Sequence, residues 1–165
     1  MANFSFDVVS EFDKAEMNNV YDQTQREISN RYDFKNTPAA IEWFNADKTG
    51  FKIIGDGDWQ IDAILDIVRK KLASREVSQK VLDVSQEVTV SNMKSSKMVS
   101  FKAGLDAEKA KKITSLLRDK YPKVKSQIQG ETVRITSNSK DILQSIMQDL
   151  RAADYDFPIS FTNYR

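Results

Sequence analysis

The chain has 165 residues, no cysteine and no histidine, and its 25 Lys and Arg nearly balance 24 Asp and Glu. That length suffices for one domain or two small ones, with a core that needs neither a disulfide nor a metal. The missing side chains remove thiol chemistry, the commonest zinc ligand and the commonest general base, so any catalysis would rest on carboxylates, lysines or hydroxyls.

In chain order, "MANFSFDVVSEFD" carries neither the basic region nor the apolar run of a signal peptide. No window approaches the ~20 apolar residues of a membrane span, so a cytoplasmic protein without membrane contact is expected. Phe4, Phe6 and Val8 alternate with Ser5 and Asp7, which predicts a half-buried strand over 3–9. Asp13 and Glu16 form a capping-box pattern ahead of a helix whose face is Met17, Val20, Tyr21, Thr24 and Ile28. Ala40–Asn45 and Phe51–Ile54 predict a hairpin with its turn at Asp47–Gly50. Asp58 is the expected cap of a second helix, with Ile61, Ile64, Leu65, Val68 and Leu72 on one face. Residues 82–90 are rich in strand formers, "SNMKSSK" is a polar turn, and 97–103 is a further strand. Asp106 heads a third helix with the stripe Ala110, Ile113, Leu117 and Tyr121. A tight hairpin about Gly130 follows, then a helix capped by Asn138 or Ser139 and carrying Ile142, Leu143, Ile146 and Leu150, then a closing strand over 157–163.

This order contains a repeat. "FKIIGDGDWQIDAILDIVR" (51–69) lies over "VRITSNSKDILQSIMQDLR" (133–151) at a constant offset of 82, matching Lys52 to Arg134, Ile53 to Ile135, Ile64 to Ile146 and Arg69 to Arg151. Each half then reads helix–strand–strand–helix–strand and lacks one leading strand. Supplying it gives the β-α-β-β-α-β motif, so the fold class expected is α+β, two ferredoxin-like units. Each would have an antiparallel four-stranded sheet with two helices on one face. Because the short turn near Ser95 folds 97–103 back beside 82–90, that strand takes the leading place of the first unit, and strand 3–9 is left to pair with 157–163. The leading strands are then exchanged. The units expected are 10–103, led by 97–103, and 104–165, completed by 1–9. In the competing arrangement each unit keeps its own strand and the serine-rich turn is a linker.

Charge is uneven. Residues 1–50 carry a net −4 and residues 97–134 a net +6. A basic excess of this kind is either a solvated face or an anion-binding surface. In the second unit, alternation sends Val124, Ile128, Val133 and Ile135 toward the helices, and Lys123, Lys125, Gln127, Gln129, Thr132, Arg134 and Thr136 to the open face. That face collects three cations and no acid, which suits phosphates and base edges, although an open antiparallel sheet is also often merely solvated. RNA-recognition modules of this topology stack bases on central-strand aromatics. Here Phe51 and Phe101 are expected to face the helices, while Trp43 is assigned to neither the core nor the open face. A basic face without stacking rings implies shape-tolerant, salt-sensitive binding. The "GDGD" run at 55–58 lacks the Lys-Ser/Thr of a P-loop and the spaced carboxylates of a calcium loop, and is a turn leading into a helix.

"FSFDVVSE", "NRYDFK", "IQGETVRIT" and "FTNYR" together resemble the YajQ family of bacterial proteins, in the same order and over nearly the whole chain. The family's R-F-D-F-K-G falls on Arg31, Tyr32, Asp33, Phe34, Lys35 and Asn36. Its I-Q-G-D-Q-V-R falls on Ile128 to Arg134, and its F-K-N-F-R on Phe161 to Arg165, where Thr162 replaces the lysine. The resemblance implies two ferredoxin-like domains with exchanged N-terminal strands, nucleotide or RNA binding through basic residues, an association of some members with cyclic di-GMP signalling, and no established catalysis.

For "RYDFK", an extended exit from the first helix would send Tyr32 and Phe34 to one side and Arg31, Asp33 and Lys35 to the other. A continued helix would put Arg31 and Lys35 on one face at i, i+4. Either geometry makes a paired basic site, with Asp33 steadying one cation. The functional expectation is a non-catalytic protein that binds RNA, tRNA among the candidates, or nucleotides through phosphates, with no cofactor and no metal. The residues expected to make contact are Arg31, Lys35, Lys52, Lys102, Lys123, Lys125 and Arg134, with Lys123, Lys125 and Arg134 sharing one surface with Arg31 and Lys35. The alternatives are a cyclic di-GMP receptor acting through a protein partner in transcription or signalling, and a protein-interaction adaptor whose basic face is incidental.

Overall fold

A computed structural model describes residues 3–165. It has nine strands and four helices among the described residues. They are β1 (Phe4–Val9), α1 (Lys14–Asn30), β2 (Ala40–Trp43), β3 (Gly50–Gly55), α2 (Asp58–Ser74), β4 (Leu82–Asp83), β5 (Thr89–Ser91), β6 (Lys94–Phe101), α3 (Ala107–Lys120), β7 (Lys125–Gln129), β8 (Thr132–Ser137), α4 (Lys140–Ala152) and β9 (Ser160–Thr162). The chain forms two compact units. One is Phe12–Lys102; the other is Ala103–Arg165 with the described part of Met1–Glu11.

In the first unit the sheet order is β2-β3-β6-β4, with β5 also pairing β6. In the second it is β7-β8-β1-β9. Every pairing is antiparallel. Relative to its own leading strand, each unit has the ferredoxin-like order, and the leading strands are exchanged. β6 pairs β3 and β4, whereas β1 pairs β8 and β9. Phe6 and Val8 of β1 are fully buried in the second unit's core with Ile113, Leu117, Val133, Ile135 and Ile146. Burying two such side chains stabilises the pairing by roughly 1.5–3 kcal/mol each. The first unit's core gathers Met17, Val20, Phe51, Ile53, Ile64, Val68 and Val99.

The internal repeat holds residue for residue. β3 and β8 begin and end 82 positions apart, as do the starts of α2 and α4 and their N-caps, Gly57 and Ser139. The strand registers extend the correspondence. Ala40 pairs Ile54 where Lys125 pairs Thr136, so β2 and β7 are offset by 85.

Several local expectations are corrected. The strand expected over 82–90 is only Leu82–Asp83, because the Asp83 carboxylate accepts hydrogen bonds from the Ser85 amide (3.0 Å) and hydroxyl (2.6 Å), turning the chain out of the sheet. β5 forms a separate hairpin with β6 about Asn92 and Met93, both left-handed at φ 52° and 64°, so the leading strand starts at Lys94 and ends at Phe101. The closing strand is the short Ser160–Thr162. The chain bends at Asn163 (φ 55°), and pairing resumes where Arg165 exchanges backbone hydrogen bonds with Ser5 at 2.9 and 3.2 Å. Asp58 lies inside the first turn of α2, and the cap is Gly57, which has no side chain to offer. Asp13 does cap α1 through the Ala15 and Glu16 amides, but Glu16 turns away to ion-pair with Arg75 instead of closing a capping box. Trp43 lies on the helix side, stacked on Tyr21 at 4.8 Å. Ile128 is 49% exposed instead of inward, since β7 is the edge strand and all five of its residues are exposed.

Candidate functional site

The expected contact residues fall into the two units. Arg31, Lys35, Lys52 and Lys102 belong to the first; Lys123, Lys125 and Arg134 belong to the second.

In the first unit, "RYDFK" is neither extended nor α-helical. Residues Tyr32–Phe34 form one 3₁₀ turn, closed by Phe34 and Lys35 amides donating to the Arg31 and Tyr32 carbonyls. At three residues per turn, positions 32 and 34 cannot share a side. Tyr32 is thrown outward, 85% exposed, and Phe34 is buried. Arg31 is the cation that Asp33 steadies, as expected. Its guanidinium grips Asp33 at 3.0 and 2.7 Å and stacks over the Phe34 ring at 4.4 Å. That bond holds the Asp33 carboxyl below the usual carboxylate range. Lys35 reaches instead over the Tyr32 ring, 5.5 Å from its centre. Asn36, under the glycine of the family's motif, takes a left-handed turn (φ 61°) that asparagine tolerates. Lys52 stands opposite Glu42 and Met98 in the sheet and lines a hollow of about 200 Å³ with Ser91, Asn92, Lys94 and Ser96. The Lys102 amide donates to the Val81 carbonyl at 2.7 Å.

In the second unit, Val133 and Ile135 are buried and Arg134 projects from the other side of β8. The face is not free of acid. β1 lies beside β8 with Asp7 directly opposite Arg134, and Asp7 is 4% exposed. Arg134 Nε donates to Asp7 Oδ1 at 2.9 Å, and Asn163 Nδ2 donates to Oδ2 at 2.8 Å. The Arg134 hydrogen bond, helped by Asn163, pulls the Asp7 pKa down against the opposing effect of burial, and the carboxylate in turn raises that of Arg134. Arg134 is therefore engaged within the protein. Asp7 was legible in "FSFDVV", where alternation opposes it to Phe6 and Val8. It was missed because the charge of the face was counted on the β7–β8 hairpin alone.

Lys123 and Lys125 are different. Both are exposed, and among the described residues neither has an ion-pair partner. They line a hollow of about 270 Å³ with Thr136, Ser137, Asn138 and Ile142, where β8 runs into α4, and no acidic side chain contributes to the lining. With Asn3 and Val124 also in the lining, the hollow is bordered by two ammonium groups, two hydroxyls, two carboxamides and two apolar side chains. Among the described residues, no group of three or more Asp or Glu is placed to hold a metal ion. No helix among them is long and apolar enough to cross a membrane.

Over residues 4–165 the chain matches the family model described as nucleotide-binding protein YajQ-like. A protein of Nocardioides sp. named a nucleotide-binding protein is 45% identical over 166 residues, covering all of both chains. Proteins of the same descriptive name from Thermosynechococcus vestitus and Yersinia pestis are each 38% identical, over 99% and 98% of both chains. With its two strand-exchanged ferredoxin-like units and this match over nearly its whole length, the chain belongs to the YajQ-like family.

Proposed function

We propose that this protein binds nucleotides or RNA by their phosphates and catalyses no reaction on them. The observation that carries the reading is the hollow of the second unit, where Lys123 and Lys125 stand without acidic neighbours in the lining. The names of its relatives support the same reading. Lysine contributes charge without the fork of an arginine, so binding should tolerate sequence and weaken steeply with salt. Arg134 plays a supporting part, since its guanidinium is already committed to Asp7.

The test is a titration with tRNA and, separately, cyclic di-GMP at two salt concentrations. Replacing Lys123 and Lys125 together by alanine should weaken RNA binding and flatten its logarithmic salt dependence by about 1.4, or ~0.7 per lost single-strand phosphate contact. The melting temperature should hardly move, because exposed cations rarely contribute more than ~1 kcal/mol. Unchanged affinity and slope would leave the hollow as a solvated surface and favour the adaptor reading.

A further inference from the structure

The repeat supplies an internal comparison for this hollow. By the offsets of 82 and 85, the positions of Asn138, Ile142, Lys123 and Lys125 correspond in the first unit to Asp56, Gln60, Pro38 and Ala40. There the equivalent space is filled. Gln60 is fully buried, its Oε1 accepts the Asp56 amide hydrogen at 2.8 Å, and its Nε2 donates to Thr37 Oγ1 at 3.1 Å. In the second unit the counterpart of Gln60 is Ile142, which has no oxygen to offer, and Thr37 is matched by Pro122. The Asn138 amide, matching that of Asp56, has no hydrogen-bond partner among the described residues. Charge changes along with shape. The four positions hold one acid and no cation in the closed copy, and two cations and no acid in the open one.

We propose that the open copy is a seat for one terminal phosphate, a phosphomonoester dianion. One phosphate oxygen accepts the Asn138 amide hydrogen where the first unit places a carboxamide oxygen, and Lys123 and Lys125 flank the remaining charge. Two point charges beside one free amide favour the dianion of a monoester over the single charge of an internal diester. In this arrangement the phosphate occupies the hollow of about 270 Å³, and the sugar and base extend from it. This rests on the phosphate-binding reading above and narrows its ligand class to chain ends and mononucleotides.

The experiment compares one short oligonucleotide carrying a 5′-phosphate with the same sequence ending in a 5′-hydroxyl. The phosphorylated form should bind at least about tenfold more tightly, the effect of one additional charge-assisted hydrogen bond with its ion pairs. Ile142→Gln, which offers the Asn138 amide the oxygen that Gln60 offers Asp56 and removes neither lysine, should abolish the preference, whereas Ile142→Ala should keep it. Titration of the unaltered protein with inorganic phosphate should shift the Asn138 amide resonance, a readout independent of how Ile142→Gln folds. Equal affinity for the two oligonucleotides, with binding still dependent on Lys123 and Lys125, would overturn this inference and leave the general reading standing. An unmoved Asn138 resonance, or a preference that survives in folded Ile142→Gln, would overturn it equally. Failure to bind either oligonucleotide would remove both.

Discussion

Asp7→Asn tests how the second sheet is held, because it keeps the shape of the side chain and removes its charge. In the native protein the carboxylate takes a good hydrogen bond on each oxygen, from Arg134 at 2.9 Å and Asn163 at 2.8 Å. An asparagine has only one oxygen. The oxygen kept toward Arg134 accepts a weaker bond than the carboxylate did, and the new NH2 faces Asn163, whose carboxamide must flip to accept from it. Hydrogen bonds to charged groups contribute ~1.5–3 kcal/mol and neutral ones about 1. Removing a charge that is 4% exposed also relieves a desolvation cost, which lowers the net loss to about 1.5 kcal/mol at pH 7. For a chain of this size that lowers the melting temperature by about 3–6 °C.

The pH dependence gives the sharper check. Arg134 and Asn163 hold the folded Asp7 pKa below its unfolded value of about 3.9. Its stabilisation is therefore present above about pH 4 and lost as pH falls through the depressed folded value. Thermal melts of both proteins at fixed ionic strength should show a constant gap between pH 5 and 8 that narrows toward pH 3. A gap as large at pH 3 as at pH 7 would refute the ionic account. No gap at pH 7 would mean that the attraction between Asp7 and Arg134 only offsets the cost of burying them.

Other outcomes follow from single features. Thr24 is fully buried on α1, and its hydroxyl has no partner among the described residues; Thr24→Val should raise stability by about 1 kcal/mol in urea unfolding. Gly104 sits at φ 82° with Glu131 only 2.8 Å from an added Cβ, whereas Gly130 at φ 61° has open space around it. Alanine at either should cost about 1–2 kcal/mol for the left-handed backbone, and more at Gly104 if the Glu131 carboxylate cannot move aside. Since each unit contains the leading strand that precedes the other's first helix, calorimetry should show a single transition with equal calorimetric and van't Hoff enthalpies. Two resolved transitions would count against interlocking.

The sequence by itself determined the order of the helices and principal strands, the repeat and the exchange of leading strands. These depend on local chemistry and connectivity: apolar spacing of 2 or 3.6, cap residues such as Asp13 and Asp106, and a turn too short to let 97–103 leave its neighbour. Even the offset of 82 survives to the ends of β3 and β8. What failed to be legible depended on partners remote in sequence or on fine backbone geometry. Arg134 looked like a free cation because its counter-charge lies 127 residues away, across a strand pairing that brings β1 beside β8. In "RYDFK" the expected hold of Asp33 on one cation is there, on Arg31, but neither an extended nor an α-helical exit allowed for the single 3₁₀ turn that buries Phe34 and turns Tyr32 outward. Lys123 and Lys125 were legible as exposed cations, but the hollow they line was not. It is lined by Ile142 at the position where the other copy buries Gln60, and only folding both copies into the same register makes those two residues comparable.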